Sequence, residues 1–168
     1  MENTNKKTLY LFTDGSVNPQ EKIGYGAYLL LTQEQLDLQY LNEEVQLKRF
    51  ENTSSTKLEV ETLLWALKNH ELKNNHMIIY TDCQNILGLK DRRKRFEEND
   101  YYTKKHKRIA NHELYKQFYI LTDELDCEFV KVKGHKAKDK KDKIDKIFTL
   151  VDKGSRNALR EEKGHLAN

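Results

Sequence analysis

Apolar and polar residues alternate with period two near the start of the chain, and further on the apolar ones recur every three or four positions. "TLYLFTDGS" reads as a strand from Leu9 to Thr13 that ends at an Asp-Gly-Ser turn. "IGYGAYLLL" reads as a second strand, joined to the first by a hairpin turn at Asn18 and Pro19. "NEEVQLKRFENTS" sets Val45, Leu47 and Phe50 against charged neighbours, as in a third, half-exposed strand. "SSTKLEVETLLWALKNHEL" then offers Ser and Thr caps before an apolar face of Leu58, Leu63, Leu64 and Leu67, which predicts a helix.

"MIIYTD" is a compact apolar strand, and "CQNILGLK" opens a short helix directly after it. Lys90 to Arg108 has no clean period and reads as an irregular or partly helical protrusion. "NHELYKQFYILTDEL" predicts a helix through Leu114, Phe118, Leu121 and Leu125, "CEFVKV" a last strand, and "DKIDKIFTLVDKGSRNALREE" a closing helix. Three leading strands followed by strand–helix–strand units predict an α/β fold. Its mixed five-stranded sheet has three antiparallel strands, then two parallel ones, with helices on both faces. With 168 residues, 37% of them hydrophobic, the chain is expected to form a single domain over 1–168, with its core between about 8 and 162.

Charge modifies this picture. The net charge is only +3 although 34% of residues are charged, so distribution matters more than balance. Lys90, Arg92, Arg93, Lys94, Arg95, Lys104, Lys105, Lys107 and Arg108 fall in one stretch, and seven lysines from Lys131 to Lys143 form another. Such clusters are commonly solvated faces, but they also attract polyphosphate backbones. Cys83 and Cys127 are too few for a disulfide framework and read as reduced thiols. No secretory signal and no membrane-spanning apolar run is present, so a cytoplasmic protein without membrane contact is expected. With only a short tail before the first strand, no separate N-terminal domain is expected, and no obligate protein partner is expected either.

Four acidic residues lie where strands end or helices begin: Asp14, Glu59, Asp82 and Asp152. Asp14 before Gly-Ser is by itself a turn residue, Asp82 a helix cap, and Glu59 a first-turn carboxylate favoured by the helix dipole. Asp14 and Asp82 nevertheless share a context: each follows Thr at the carboxyl end of a strand, where open α/β sheets form ligand crevices. Glu59 falls on the inward side of its helix, flanked by Leu58 and Leu63. If these carboxylates converge, their repulsion calls for a cation, and metal-assisted phosphoryl chemistry is the first reaction class to consider. His135, in a basic loop after a strand, is either a solvated side chain or a proton carrier beside such a site.

In order along the chain, "FTDGSVNP", "GYGAYLL", "STKLEVETLLWAL", "IYTDCQNI" and "VKVKGH" before an acidic helix resemble type I ribonuclease H, from Leu9 to about Arg160. The resemblance implies a ribonuclease H-like fold and metal ligands at Asp14, Glu59, Asp82 and a last Asp, with His135 as a mobile histidine. Asn18 and Gln84 match family positions that contact the RNA strand. Ser55 and Thr56 stand where the family commonly has an Asn pair, so their hydroxyls are expected to meet the 2′-OH instead. Arg92, Arg93, Lys94, Lys104 and Lys105 are the expected duplex contacts. For the last ligand, distance from His135 favours Asp145. The small residues after "VDK" resemble the family's closing helix and favour Asp152; the two are seven apart and share a helix face.

The activity so implied is endonucleolytic hydrolysis of the RNA strand of RNA–DNA hybrids by two Mg²⁺ ions, with Mn²⁺ as a substitute, leaving 5′-phosphate and 3′-hydroxyl ends. Two alternatives stay open at this point. One is an inactive hybrid- or duplex-binding module; the other is a nuclease of the same fold with a different nucleic-acid substrate.

Overall fold

Five strands form one sheet in a computed structural model that describes residues 6–133, apart from 38 and 40, and residues 142–166. They are β1 (Lys7–Asn18), β2 (Ile23–Thr32), β3 (Gln46–Glu51), β4 (Asn75–Thr81) and β5 (Asp126–Lys131), in the order β3-β2-β1-β4-β5. The first three pair antiparallel, while β4 and β5 add in parallel. The mixed sheet expected from the apolar pattern is thus the one observed.

Period-two alternation gives the sheet two buried faces. Leu11, Tyr28, Met77 and Ile79 point to one side. There they meet α1 (Ser55–Lys68) and α4 (His112–Glu124), with the short α2 (Gln84–Leu87) and α3 (Leu89–Glu98) at its end. Phe12, Leu29, Leu31 and Tyr80 point to the other side, under Ile147, Phe148 and Val151 of α5 (Lys143–Leu166). Parallel β1–β4 pairing is possible because α1 provides the crossover between antiparallel β3 and the returning β4.

Two sequence expectations need correction, and both corrections concern the acidic residues. Asp14-Gly15-Ser16 is not a turn. β1 runs on to Asn18, because β2 supplies an antiparallel partner for each residue, Asp14 opposite Ala27 and Ser16 opposite Tyr25. The parallel ladder to β4 ends earlier, at Phe12 opposite Tyr80. Asp14 therefore sits inside β1 yet just past the carboxyl end of the central parallel pair. The turn follows Asn18, whose Oδ1 accepts the amide of Gln20 at 3.1 Å. Glu59, in turn, is not in the first turn of α1. Ser54 is the N-cap and accepts the Lys57 amide at 3.3 Å, which makes Glu59 the fifth helical residue, beyond the range of dipole stabilisation.

The lateral position of α1 is set by absent side chains on β2. A Cβ at Gly26 would overlap the Thr62 hydroxyl, and one at Gly24 would come within 2.7 Å of Leu58 Cδ2. The helix thus lies close enough to the sheet for its second turn to reach the strand ends. Gly26→Ala is expected to push α1 outward and cost about 1–3 kcal/mol, read as a lower melting temperature. Gly24→Ala, whose nearest obstacle is the tip of a flexible Leu, should cost less.

Candidate metal centre and nucleic-acid groove

Asp14, Glu59 and Asp82 each place a carboxylate oxygen within 4.8 Å of the others. Three separate elements deliver them: the interior of β1, the second turn of α1 and the residue after β4. Asp82 is not a helix cap, since Cys83 occupies that position before α2. Asp14 is buried, Glu59 half-buried and Asp82 exposed, so the cluster opens to solvent at Asp82.

Burial is the largest cause raising the Asp14 carboxyl to about 9, followed by the charges of Glu59 and Asp82; the Gly15 amide opposes them and the neighbouring Asp152 adds to them. Glu59 is raised to about 8, again chiefly by burial and then by Asp82. Glu59 Oε2 is buried without a hydrogen-bond partner among the described residues. A buried, unpaired carboxylate oxygen is costly unless a proton or cation meets it. Hard all-oxygen donors of this kind fit a divalent cation such as Mg²⁺. The Cys83 thiol, next in sequence to Asp82, is pushed up by burial, with Glu59 and Asp82 adding to the shift and the Ile86 and Asn85 amides opposing it.

The two candidates for the last acid occupy different environments on α5. Asp145 and Asp142 form a reciprocal cap: the Asp142 side chain accepts the Asp145 amide at 2.8 Å, and the Asp145 carboxylate accepts the Asp142 amide at 3.2 Å. Asp145 thus starts the helix. Two turns further, Asp152 is near enough to help raise the Asp14 and Glu59 carboxyls, although it is not among the three residues whose oxygens lie within 4.8 Å of one another, and its Oδ2 accepts from Arg156 at 2.9 Å. His135 lies outside the described residues.

A groove of about 720 Å³ is lined by Ser54 and Thr56 at the start of α1 and by Arg92, Arg95, Tyr102 and Lys104 of the protrusion, among others. α1 links it to the acidic cluster, since Thr56 lies three residues before Glu59, about 4.5 Å along the helix axis. The protrusion is helical only through α3. It then turns through Asp100 and Tyr101, both in the left-handed region, and Tyr101 is held there by packing on Phe96. Ser55 and Gln84 are exposed at the starts of α1 and α2, and Asn18 spends its side chain on the β1–β2 turn.

The basic residues divide more sharply than their spacing suggests. Arg92 lines the groove, braced by the Gly88 carbonyl at 3.2 Å and Asn85 Oδ1 at 2.8 Å. Arg93 does not line it; both its terminal nitrogens go to Asp123, at 2.6 and 2.8 Å, and its Nε to Glu97. It ties α3 to α4. Lys94 is exposed beside Glu98 and Lys105 is exposed in the turn, neither of them lining the groove. Arg95, not among the duplex contacts expected from the sequence, does line it; its position three residues after Arg92 on one helix face was the available signal.

Known proteins agree with this geometry. The family model for RNase H matches residues 6–151. A ribonuclease H of Idiomarina loihiensis is 27% identical over 166 residues, spanning 96% of this chain and 97% of that one. Among solved structures, the foamy viral protease-reverse transcriptase in complex with dsDNA shares the fold at a TM-score of 0.60 and 13% identity. That match covers 92% of this chain and 97% of the other. Sheet order, acidic cluster and family match together define a nuclease of the hydrolase class. The chain belongs to the RNase H family. Among the described residues, no helix is long and apolar enough to cross a membrane.

The raised carboxyls fix the sign of a pH effect. Between their ordinary values of 3.8 and 4.5 and their folded values of about 9 and about 8, the folded chain holds protons that the unfolded chain has released. Stability of the metal-free protein must therefore fall as pH rises through that window. Thermal melts in chelator are expected to show a melting temperature declining from about pH 5 to about pH 9. Asp14→Asn should flatten the decline and raise the value at about pH 8 by a few degrees, the equivalent of about 1 kcal/mol.

Proposed function

We propose that this chain is an endonuclease that hydrolyses the RNA strand of RNA–DNA hybrids with two Mg²⁺ ions, leaving 5′-phosphate and 3′-hydroxyl ends. The observation that carries the reading is the convergence of Asp14, Glu59 and Asp82, with a buried Glu59 oxygen that has no hydrogen-bond partner among the described residues. Asp14, Glu59, Asp82 and Asp152 would hold the ions. When bound, a metal pair supplies an activated water and neutralises charge on the leaving oxygen.

What the chain itself contributes is charge and placement. Asp14 is the buried member of the cluster, with carboxylate oxygens of Glu59 and Asp82 within 4.8 Å, and it would be a ligand of the bound metal. Burial of Asp14 and Glu59 keeps competing water away from their inner oxygens, while exposed Asp82 leaves the site open to a phosphodiester. His135 belongs to the same reading as a carrier of the proton to the leaving group. Arg92, Arg95 and Lys104 would bind backbone phosphates in the groove, and the hydroxyls of Ser55 and Thr56 would meet the minor-groove 2′-OH. Asn18 and Gln84 complete this reading as further contacts to the RNA strand. A cytoplasmic location accords with two free, half-buried cysteines.

A labelled hybrid, incubated with Mg²⁺ beside double-stranded RNA and double-stranded DNA, tests the activity. Cleavage of the hybrid alone is expected, and no product with Mg²⁺ or Mn²⁺ would instead mark a binding module. Asp14→Asn and Asp152→Asn should each lower the single-turnover rate by about 10²–10³-fold. Asp145→Asn should lower the melting temperature through its weakened cap by about 1 kcal/mol while the rate stays within a few fold. Equal rate losses at 145 and 152 would reject this division of roles.

Hybrid affinity supplies a separate check. Arg95→Gln combined with Lys104→Gln is expected to weaken binding and to reduce the slope of log K against log salt by about 1 for each phosphate left without its cation. An unchanged slope would remove the groove from the binding surface.

A further inference from the structure

α5 packs on the sheet through a stripe that runs Phe148, Val151, Ser155 at helical spacing. The first two are apolar, and the third is a serine with 0% exposure. A hydroxyl in a place that an alanine would fill needs a reason, because its polar atoms must be bonded when buried. Ser155 Oγ lies 3.0 Å from the backbone carbonyl of Asp152 and 3.0 Å from Ser16 Oγ on β1, a residue 139 positions away.

The direction of this chain of bonds follows from counting protons. A serine hydroxyl has one hydrogen. A carbonyl can only accept, so Ser155 donates its hydrogen to Asp152, and Ser16 must donate to Ser155. Each end of this chain of bonds lies on a segment that carries one of the candidate acids. Ser16 is two residues from Asp14 and shares its face of β1, while Ser155 is one turn from Asp152 and shares its side of α5. The hydroxyl pair thus joins the backbone segments that carry Asp14 and Asp152.

We propose that Ser16 and Ser155 are positioning residues that fix Asp152 against Asp14 in the metal centre, an inference that rests on the metal-holding role given to those two acids above. α5 does not need the hydroxyls in order to fold, since Ile147, Phe148 and Val151 bury its apolar face. Apolar contacts alone leave a helix free to rotate or slide slightly, whereas a site for ions demands placement to within about 0.5 Å. The directed bond from Ser16 on β1 to Ser155 on α5 supplies that constraint, and the Ser155 bond to the Asp152 carbonyl carries it to the backbone of Asp152.

The test is calorimetric titration of the full chain with Mg²⁺ alone, without nucleic acid. Ser155→Ala, which suits a helix well, should weaken Mg²⁺ binding about fivefold, the effect of one lost hydrogen bond. Ser16→Ala should do the same, and the double variant should be no worse than either single one, because the two hydroxyls act as a unit. Ser16→Thr keeps the donor and should bind like the native chain, while Ser16→Val, of equal shape, should lose the fivefold. Native affinity in Ser155→Ala, equal behaviour of Thr and Val at position 16, or additive losses would each overturn the proposal. Asp152→Asn separates the two levels of inference. Unchanged Mg²⁺ affinity there would remove Asp152 from the metal centre, and the positioning role with it, whereas a loss there beside no loss in Ser155→Ala would reject only the positioning role.

Discussion

Repulsion among carboxylates is the constraint around which this molecule is arranged. Two charges about 4 Å apart at an effective dielectric near 20 oppose each other by about 4 kcal/mol, and Asp14, Glu59 and Asp82 are held within 4.8 Å. No one of these residues is forced there by its own local preferences. Asp14 is kept in place by β2, which pairs with β1 beyond the point where β4 stops. Glu59 is kept in place by Gly24 and Gly26, which let α1 approach the sheet closely. The apolar clusters on both sheet faces stabilise an arrangement that the acids resist, and protons taken up by Asp14 and Glu59 relieve it when no cation is bound.

How far the sequence discloses this depends on whether each feature is local. Strand and helix order follow from apolar period, and the mixed sheet with helices on both faces was readable in full. The end of β1 was not: Asp-Gly-Ser has the chemistry of a turn, and only pairing with Ala27 and Tyr25, from a different strand, keeps it extended. The same limit applies to Glu59. Ser and Thr residues before α1 offer several caps, and the choice of Ser54 moves Glu59 from the first turn to the second.

Asp145 and Asp152 show the limit most plainly, because seven residues on a helix give them one face and periodicity treats them alike. What separates them is a contact at each position. Asp142 caps with Asp145 within one turn of sequence, and that reciprocal spacing was visible in principle. Ser155 meets Ser16 across the whole chain, which nothing local announces. Family likeness favoured Asp152 through the small residues that follow it. The structure supplies a physical reason for their size, since a large side chain at position 155 would not fit between α5 and β1.

The modest net charge of +3 hides an uneven distribution, in which some basic residues of the protrusion are balanced by acidic neighbours and others are not. Arg93 is bound to Asp123 and Glu97, Lys94 lies beside Glu98, and Arg108 lies 3.8 Å from Asp100. Exposed charges farther apart than about 8–10 Å are largely screened at physiological salt, so what a phosphate backbone meets is the local set, not the total. That set is Arg92, Arg95 and Lys104 in the groove. Arg92 is the most rigid of the three, being tied to Asn85 and Gly88 and stacked on Phe96. A guanidinium already braced loses little side-chain freedom on binding. The ion pairs that spend Arg93 on α4 thus serve the groove indirectly. They fasten the helix that carries Arg92 and Arg95, and so hold the positive edge in place.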